Sequence, residues 1–253
     1  MAFLQVQFFS AVLEVASTIN VILPEPAQGI GIDASGKDEL PKVLYLLHGY
    51  SDDHSIWMRR TSVERYAAAH NLAVIMPAVD HSFYRNELHG KRYRDYISEE
   101  LPMVCRRFFR ISDDPKDTYV AGLSMGGYGA MSLALEHPER YAAAASFSGA
   151  VDLAGLIEHD PNKAGWERIF GDPDIKGIDA DTYHLMEKNA AAPHKPRLYV
   201  SCGTADFLYP MHAPFVAALK EQGWDVTSYE KEGAVHEWGF WDEQIREFIE
   251  KYI

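Results

Sequence analysis

The apolar positions along this 253-residue chain change period in a regular order. At the start, Leu4, Val6 and Phe8 alternate with Gln5 and Gln7, the two-residue period of a half-buried strand. Strands are expected over residues 3–15 and 17–23, turning at Ala16-Ser17 as an antiparallel edge hairpin. Pro24, Pro26, Gly29, Gly31 and Gly36 then mark a loop. Val43 to Leu47 is an uninterrupted apolar run, which predicts a strand buried on both faces in the centre of a parallel sheet. A helix follows over residues 62–70, with Ser62 as its cap, and Leu72–Met76 is the next strand, stopped by Pro77. Residues 78–92 read as an irregular aromatic and polar loop, with Tyr84, Arg85, Asn86 and Tyr93 as pocket candidates. A helix over residues 95–109 is expected to bury Leu101, Val104, Cys105 and Phe108 on one face.

The second half repeats the alternation. Thr118–Ala121 reads as a strand, Ala130–Leu135 as a helix ending at His137-Pro138, and Ala142–Phe147 as a strand. Residues 149–193 form an insertion with helical pieces near 166–170 and 183–189, suited to a pocket wall or lid. A strand at 197–202, a helix at 213–222, a strand at 225–229 and an amphipathic helix at 241–252 close the chain. Strands alternating with helices imply an α/β fold: a mostly parallel, doubly wound sheet with helices on both faces. No repeat, low-complexity tract or linker divides residues 1–253, so a single catalytic domain is expected. In such a sheet, ligands bind beyond the carboxyl ends of the strands.

Composition narrows the partners. Hydrophobic residues make up 47% of the chain, and the net charge is −13 without a basic stripe, which argues against nucleic acid. No stretch reaches membrane-spanning length, and the N-terminus alternates rather than forming a leader, so a cytoplasmic address is expected. The two cysteines, Cys105 and Cys202, sit in apolar surroundings and read as reduced core thiols. Asp52-Asp53-His54 lacks a second ligand cluster and reads as a solvated loop, so no metal is expected.

The chemistry concentrates at Gly122-Leu123-Ser124-Met125-Gly126, a G-x-S-x-G pattern between a strand and a helix. In that context the serine sits on a sharp turn that pushes its hydroxyl above the sheet edge. The glycines are needed because Cβ atoms there would strike the facing strand and helix. The Met125 amide, at the positive end of the helix, points where an oxyanion would form.

A serine hydroxyl needs a base, and the base needs an orienting carboxylate. Among eleven histidines, His236 is the candidate base, because it lies in the loop after the last strand. Asp206, just past the strand ending at Cys202, is the candidate acid; Asp152 is the alternative. His48-Gly49-Tyr50 ends the central strand at the same edge, which makes the Tyr50 amide the second oxyanion donor and His48 an ordering residue. Trp57, Phe207, Tyr209 and Trp238 flank these positions as candidate walls of a short substrate pocket.

The segments 46–57 (Leu-Leu-His-Gly-Tyr-Ser-Asp-Asp-His-Ser-Ile-Trp) and 121–130 (Ala-Gly-Leu-Ser-Met-Gly-Gly-Tyr-Gly-Ala) resemble the oxyanion segment and elbow of the bacterial tributyrin esterases. Ser146–Ala150 and Glu99–Pro102 extend the likeness, which runs over nearly the whole chain. Esterase D (S-formylglutathione hydrolase) and the feruloyl and acetyl-xylan esterases share the scaffold more distantly. The resemblance implies an α/β-hydrolase that cleaves short-chain acyl esters through Ser124, Asp206 and His236. It also implies no metal or organic cofactor, a small-molecule ester as partner, and often a homo-oligomer. A thioesterase, a feruloyl or acetyl-xylan esterase and a catalytically silent binding protein of the same fold are the competing expectations.

Overall fold

The computed structural model describes residues 1–25, 28–29, 32–33 and 39–253. Its main sheet has eight strands: β1 (Ala2–Ser10), β2 (Val15–Leu23), β5 (Lys42–Leu47), β6 (Leu72–Pro77), β7 (Thr118–Leu123), β8 (Ala143–Phe147), β9 (Arg197–Gly203) and β10 (Val226–Lys231). A separate pair, β3 (Gln28–Gly29) and β4 (Ile32–Asp33), falls within the expected loop after Pro24, whose Pro26, Gly31 and Gly36 lie outside the described residues. The main order is β1-β2-β6-β5-β7-β8-β9-β10, parallel from β6 to β10 and antiparallel at β1 and β2. From β5 the chain first winds outward to β6, then returns to place β7 on the other side. The switch point therefore lies at the carboxyl ends of β5 and β7, where such sheets open a crevice.

The uninterrupted apolar runs follow from this placement. Val43, Tyr45 and Leu47 enter the core on one face of the sheet, and Leu44 and Leu46 that on the other. The first core is roofed by α4 (Leu101–Phe108), α5 (Met125–Glu136), α8 (Thr182–Lys188) and α9 (Tyr209–Glu221). The second is covered by α1 (Ile56–Arg60), α2 (Val63–Ala68) and α10 (Trp238–Tyr252). Among the described residues no helix is long and apolar enough to cross a membrane.

Several local expectations change. The first hairpin turns over residues 11–14, where Ser10 pairs with Val15, and not at Ala16-Ser17. The turn contains no glycine; instead the buried Glu100 carboxylate accepts the Ala11 and Val12 amides at 2.7 and 3.3 Å and the Ser10 hydroxyl. Glu100 ends a π-helical stretch (Tyr96–Glu100) between α3 (Tyr93–Asp95) and α4, so the helix expected from residue 95 begins earlier and is irregular. Leu101 and Cys105 are buried as expected, whereas Phe108 is exposed and packs edge-on against Phe8 and Phe109. Ser62 precedes α2 but makes no side-chain cap; its amide donates to Asp242 at 2.9 Å, tying α2 to α10. The insertion holds three helices rather than two, the additional one being α6 (Leu153–His159), followed by α7 (Lys163–Phe170) and α8.

Candidate active site

The carboxyl ends of the parallel strands converge at the crevice. β7 runs into Ser124, whose backbone has φ +53° and ψ −117°, before α5 begins at Met125. This left-handed turn is strained for a residue with a Cβ, and two glycines make it sterically feasible. A Cβ on Gly122 would lie 2.4 Å from the Gly126 carbonyl oxygen, and one on Gly126 would lie 2.5 Å from that of Leu47. The Ser124 amide donates to the Phe147 carbonyl at 2.9 Å, and its own carbonyl accepts from Tyr128 and Ala150. The elbow is thus bolted to β8 as well as to α5.

The loop after β5 passes close to the elbow: a Cβ built on Gly49 would stand 3.7 Å from Ser124 Cβ. His48 shapes this loop. Its Nδ1 lies 2.7 Å from the Gly49 carbonyl, and its Nε2 accepts the Val79 amide at 3.0 Å. Those two bonds select the neutral Nδ1–H tautomer, and burial pushes the imidazole down to about 4. Neither the Tyr50 nor the Met125 amide has a protein acceptor among the described residues. The Tyr50 ring stacks on His81 at 4.1 Å between centroids.

Asp206 follows β9, with a side chain closed to solvent. Its Oδ2 lies 2.8 Å from His236 Nδ1, and its Oδ1 accepts the Leu208 amide at 2.9 Å. Burial pushes the carboxyl up, but the His236 and Leu208 hydrogen bonds outweigh it and hold the group below the ordinary carboxylate range. An ionised Asp206 fixes the Nδ1–H tautomer of His236 and leaves Nε2 with the lone pair. Phe207 lies over the His236 ring at 4.7 Å, and Trp241 meets it edge-on at 4.8 Å. Asp152, the alternative acid, is occupied elsewhere: it caps α6 by accepting the Gly155 amide at 2.9 Å.

Ser124, Met125, Tyr50 and Phe207 line one cavity of about 340 Å³. Its remaining wall is largely apolar and comes from the loop after β6 (His81, Phe83) and from α6 and α7 (Leu156, Trp166, Ile169). Three of the four expected pocket aromatics are corrected. Trp57 is buried under the opposite face of the sheet, with its indole N–H donating to the Leu47 carbonyl at 3.0 Å. Trp238 packs edge-on against Trp57 and Trp241 in the same core. Tyr209 turns away to stack on His212 and to bond Glu230 at 2.7 Å. Tyr84, Arg85, Asn86 and Tyr93 do not line the cavity either: the Tyr84 hydroxyl donates to the His48 carbonyl, and Arg85 pairs with Glu136. The residue before Tyr84, Phe83, faces the cavity in its place, its ring 4.7 Å from that of Trp166.

Asp53 accepts the Ser55 amide and hydroxyl at 2.8 and 2.6 Å. Among the described residues no three His, Cys, Asp or Glu side chains gather as a metal site.

The model of the family described as "Putative esterase" matches residues 10–251. An acetyl esterase of Caldicellulosiruptor saccharolyticus is 30% identical over 260 residues, covering 99% of this chain and 97% of the relative. Among solved structures, the fluorophosphonate-binding serine hydrolase F (FphF) of Staphylococcus aureus, in a substrate-bound form, is 35% identical, with a TM-score of 0.88 and coverage of 98% of this chain and 97% of that one. The S-formylglutathione hydrolase (FrmB) of Staphylococcus aureus superposes with a TM-score of 0.85 at 35% identity and the same coverage. The chain therefore belongs to this esterase family of the α/β-hydrolase fold, and it is a serine esterase, a carboxylic ester hydrolase.

Proposed function

We propose that the chain hydrolyses short-chain acyl esters, acetyl to butyryl, with Ser124 as nucleophile, His236 as base and Asp206 as its orienting acid. One observation carries this reading: a His236–Asp206 pair at 2.8 Å follows β9 and β10 at the carboxyl edge of the sheet, the edge at which β7 enters a strained serine elbow that opens on an apolar cavity. In the cycle, Ser124 Oγ attacks the ester carbonyl as His236 Nε2 takes its proton. The same nitrogen returns the proton to the leaving alcohol, and Asp206 stabilises the imidazolium formed between the two steps. The Tyr50 and Met125 amides, which have no other acceptor among the described residues, receive the oxyanion. Water then repeats the sequence on the acyl-enzyme.

The acyl range is supported by the acetyl esterase relative and by the cavity, whose 340 Å³ is near the lower end of the roughly 300–1,000 Å³ usual for small-molecule sites. The aromatic wall that supports it is Phe83, Trp166 and Phe207. A thioester reading has its own support in the S-formylglutathione hydrolase neighbour. Two buried, free thiols, Cys105 and Cys202, fit a reducing cytoplasmic setting. The deciding experiment is kcat/KM across p-nitrophenyl esters of increasing chain length beside S-formylglutathione. Preference for acetyl to butyryl oxygen esters supports the proposal; a steady rise to decanoate, or faster thioester cleavage, overturns it.

A further inference from the structure

The end of β8 carries a second strained serine that the cycle above does not use. Ser148 has φ +47°, a left-handed conformation that glycine would adopt freely, and it is fully buried. Its amide donates to the Ser201 carbonyl at 2.7 Å, and the residue before it accepts the Ser124 amide. The residue thus stands between the elbow and the strand that carries Asp206.

The Ser148 side chain has a defined polarity. Trp241 Nε1 lies 3.1 Å from Ser148 Oγ, and an indole N–H can only donate, so the serine oxygen is the acceptor in that bond. The hydroxyl hydrogen must then find a different partner. Two groups lie beside it: the Asp206 carboxylate and the Cys202 thiol. Burial pushes that thiol up to about 12, so it stays protonated and is a weak acceptor, whereas the ionised carboxylate accepts strongly. A buried serine in this region does not find a partner by default, since Ser146 Oγ and Ser201 Oγ have none among the described residues.

We propose that Ser148 is a positioning residue for the catalytic acid: its hydroxyl accepts from Trp241, donates to the Asp206 carboxylate, and so holds Asp206 and His236 in register. The proposal rests on the reading of Asp206 and His236 as acid and base. Trp241 also meets the His236 ring edge-on, so the two residues brace the pair from both ends. The brace is anchored because α10 is tied to α2 through Asp242 and to β9 through the Tyr199–Gln244 bond at 2.7 Å.

The test compares Ser148→Gly, Ser148→Ala, Trp241→Phe and Asp206→Asn, each read by thermal melting and by the pH profile of kcat and kcat/KM on p-nitrophenyl acetate. Ser148→Gly removes the hydroxyl and relaxes the backbone, whereas Ser148→Ala removes the hydroxyl alone. Both should lose about ten-fold or more in kcat, the scale of one hydrogen bond to a charged group, with KM changed little. In both, the acidic limb of the profile should move to higher pH, because an Asp206 with one donor fewer stabilises the imidazolium more. Trp241→Phe keeps a ring against His236 and should move the limb in the same direction by less. Folded Ser148 variants with wild-type kcat and an unmoved limb, beside an inactive Asp206→Asn, would overturn the positioning role alone. An active Asp206→Asn would overturn the acid assignment and this proposal with it.

Discussion

The crevice has two sides built on different principles. Its floor is a row of strand ends bearing Ser124, Asp206 and the turn before Tyr50, tied together by backbone hydrogen bonds and by glycines that no other residue could replace. Its roof, contributed by the loop after β6 and by α6 and α7, is largely apolar, with Phe83, Leu156, Trp166 and Ile169 beside the polar His81, Asp160, Asn162 and Arg168. On the floor, chemistry restricts each position to one or two residue types, and parallel strands fix where those positions fall. On the roof, many large apolar side chains can serve, and tertiary contacts decide which one turns inward.

Variants on the two sides should therefore behave differently. On the floor, Ser124→Ala should keep the fold and lose roughly 10⁶-fold in kcat, measured on p-nitrophenyl acetate. Asp206→Asn should lose about 10⁴-fold, because an amide favours the wrong histidine tautomer. Folded variants with near-normal turnover would dissolve the distinction. On the roof, Trp166→Leu should leave acetyl ester turnover within about ten-fold while shifting preference toward longer acyl chains. A gain of up to about 0.8 kcal/mol per added methylene is expected where space opens. Trp238→Leu, against the opposite core, should leave chain-length preference unchanged. An equal shift in both would show that the cavity wall has been misplaced.

A smaller effect concerns the loop that holds Tyr50. His48 is held near 4 when folded and sits near 6.5 when unfolded. Between those values the unfolded chain takes up a proton that the native protein refuses, so stability falls as pH drops through that window. The loss should be about 2 kcal/mol between pH 7 and pH 5, read from urea midpoints, and His48→Gln should show less of it. The smallest effect belongs to Asp152→Ala, which should cost about 1 kcal/mol through the lost α6 cap and leave kcat nearly intact. A collapse of activity there would revive Asp152 as the acid.

The same contrast explains what the amino-acid sequence disclosed. The central strands were legible because burial on both faces demands continuous apolar runs, and the elbow because its glycines and serine admit few alternatives. The hairpin turn was misplaced because its stability comes from Glu100, ninety residues away, and not from turn residues. The helix α6 is hard to read from the sequence although Asp152 is a good cap, since a carboxylate after a strand also reads as a catalytic candidate. Trp57 and Trp238 lie near the site in sequence, yet they point through the sheet to the other core, and a single-sequence reading has no measure of that direction. Phe83 and Tyr84 are neighbours of similar bulk, and only the hydrogen bond from Tyr84 to His48 decides which one faces the cavity. Ser148 is not legible in the sequence, because serine after a strand carries no signal without its φ and its tryptophan partner.

Ser124 as the nucleophile is tested most directly by the site of covalent modification by a fluorophosphonate. The protein is labelled, digested and mapped by mass spectrometry, beside Ser124→Ala and His236→Ala. A single adduct is expected on Ser124, none in Ser124→Ala, and greatly slowed labelling in His236→Ala, with loss of esterase activity in step with labelling. An adduct on another residue, or full esterase activity in an unlabelled Ser124→Ala protein, would contradict it.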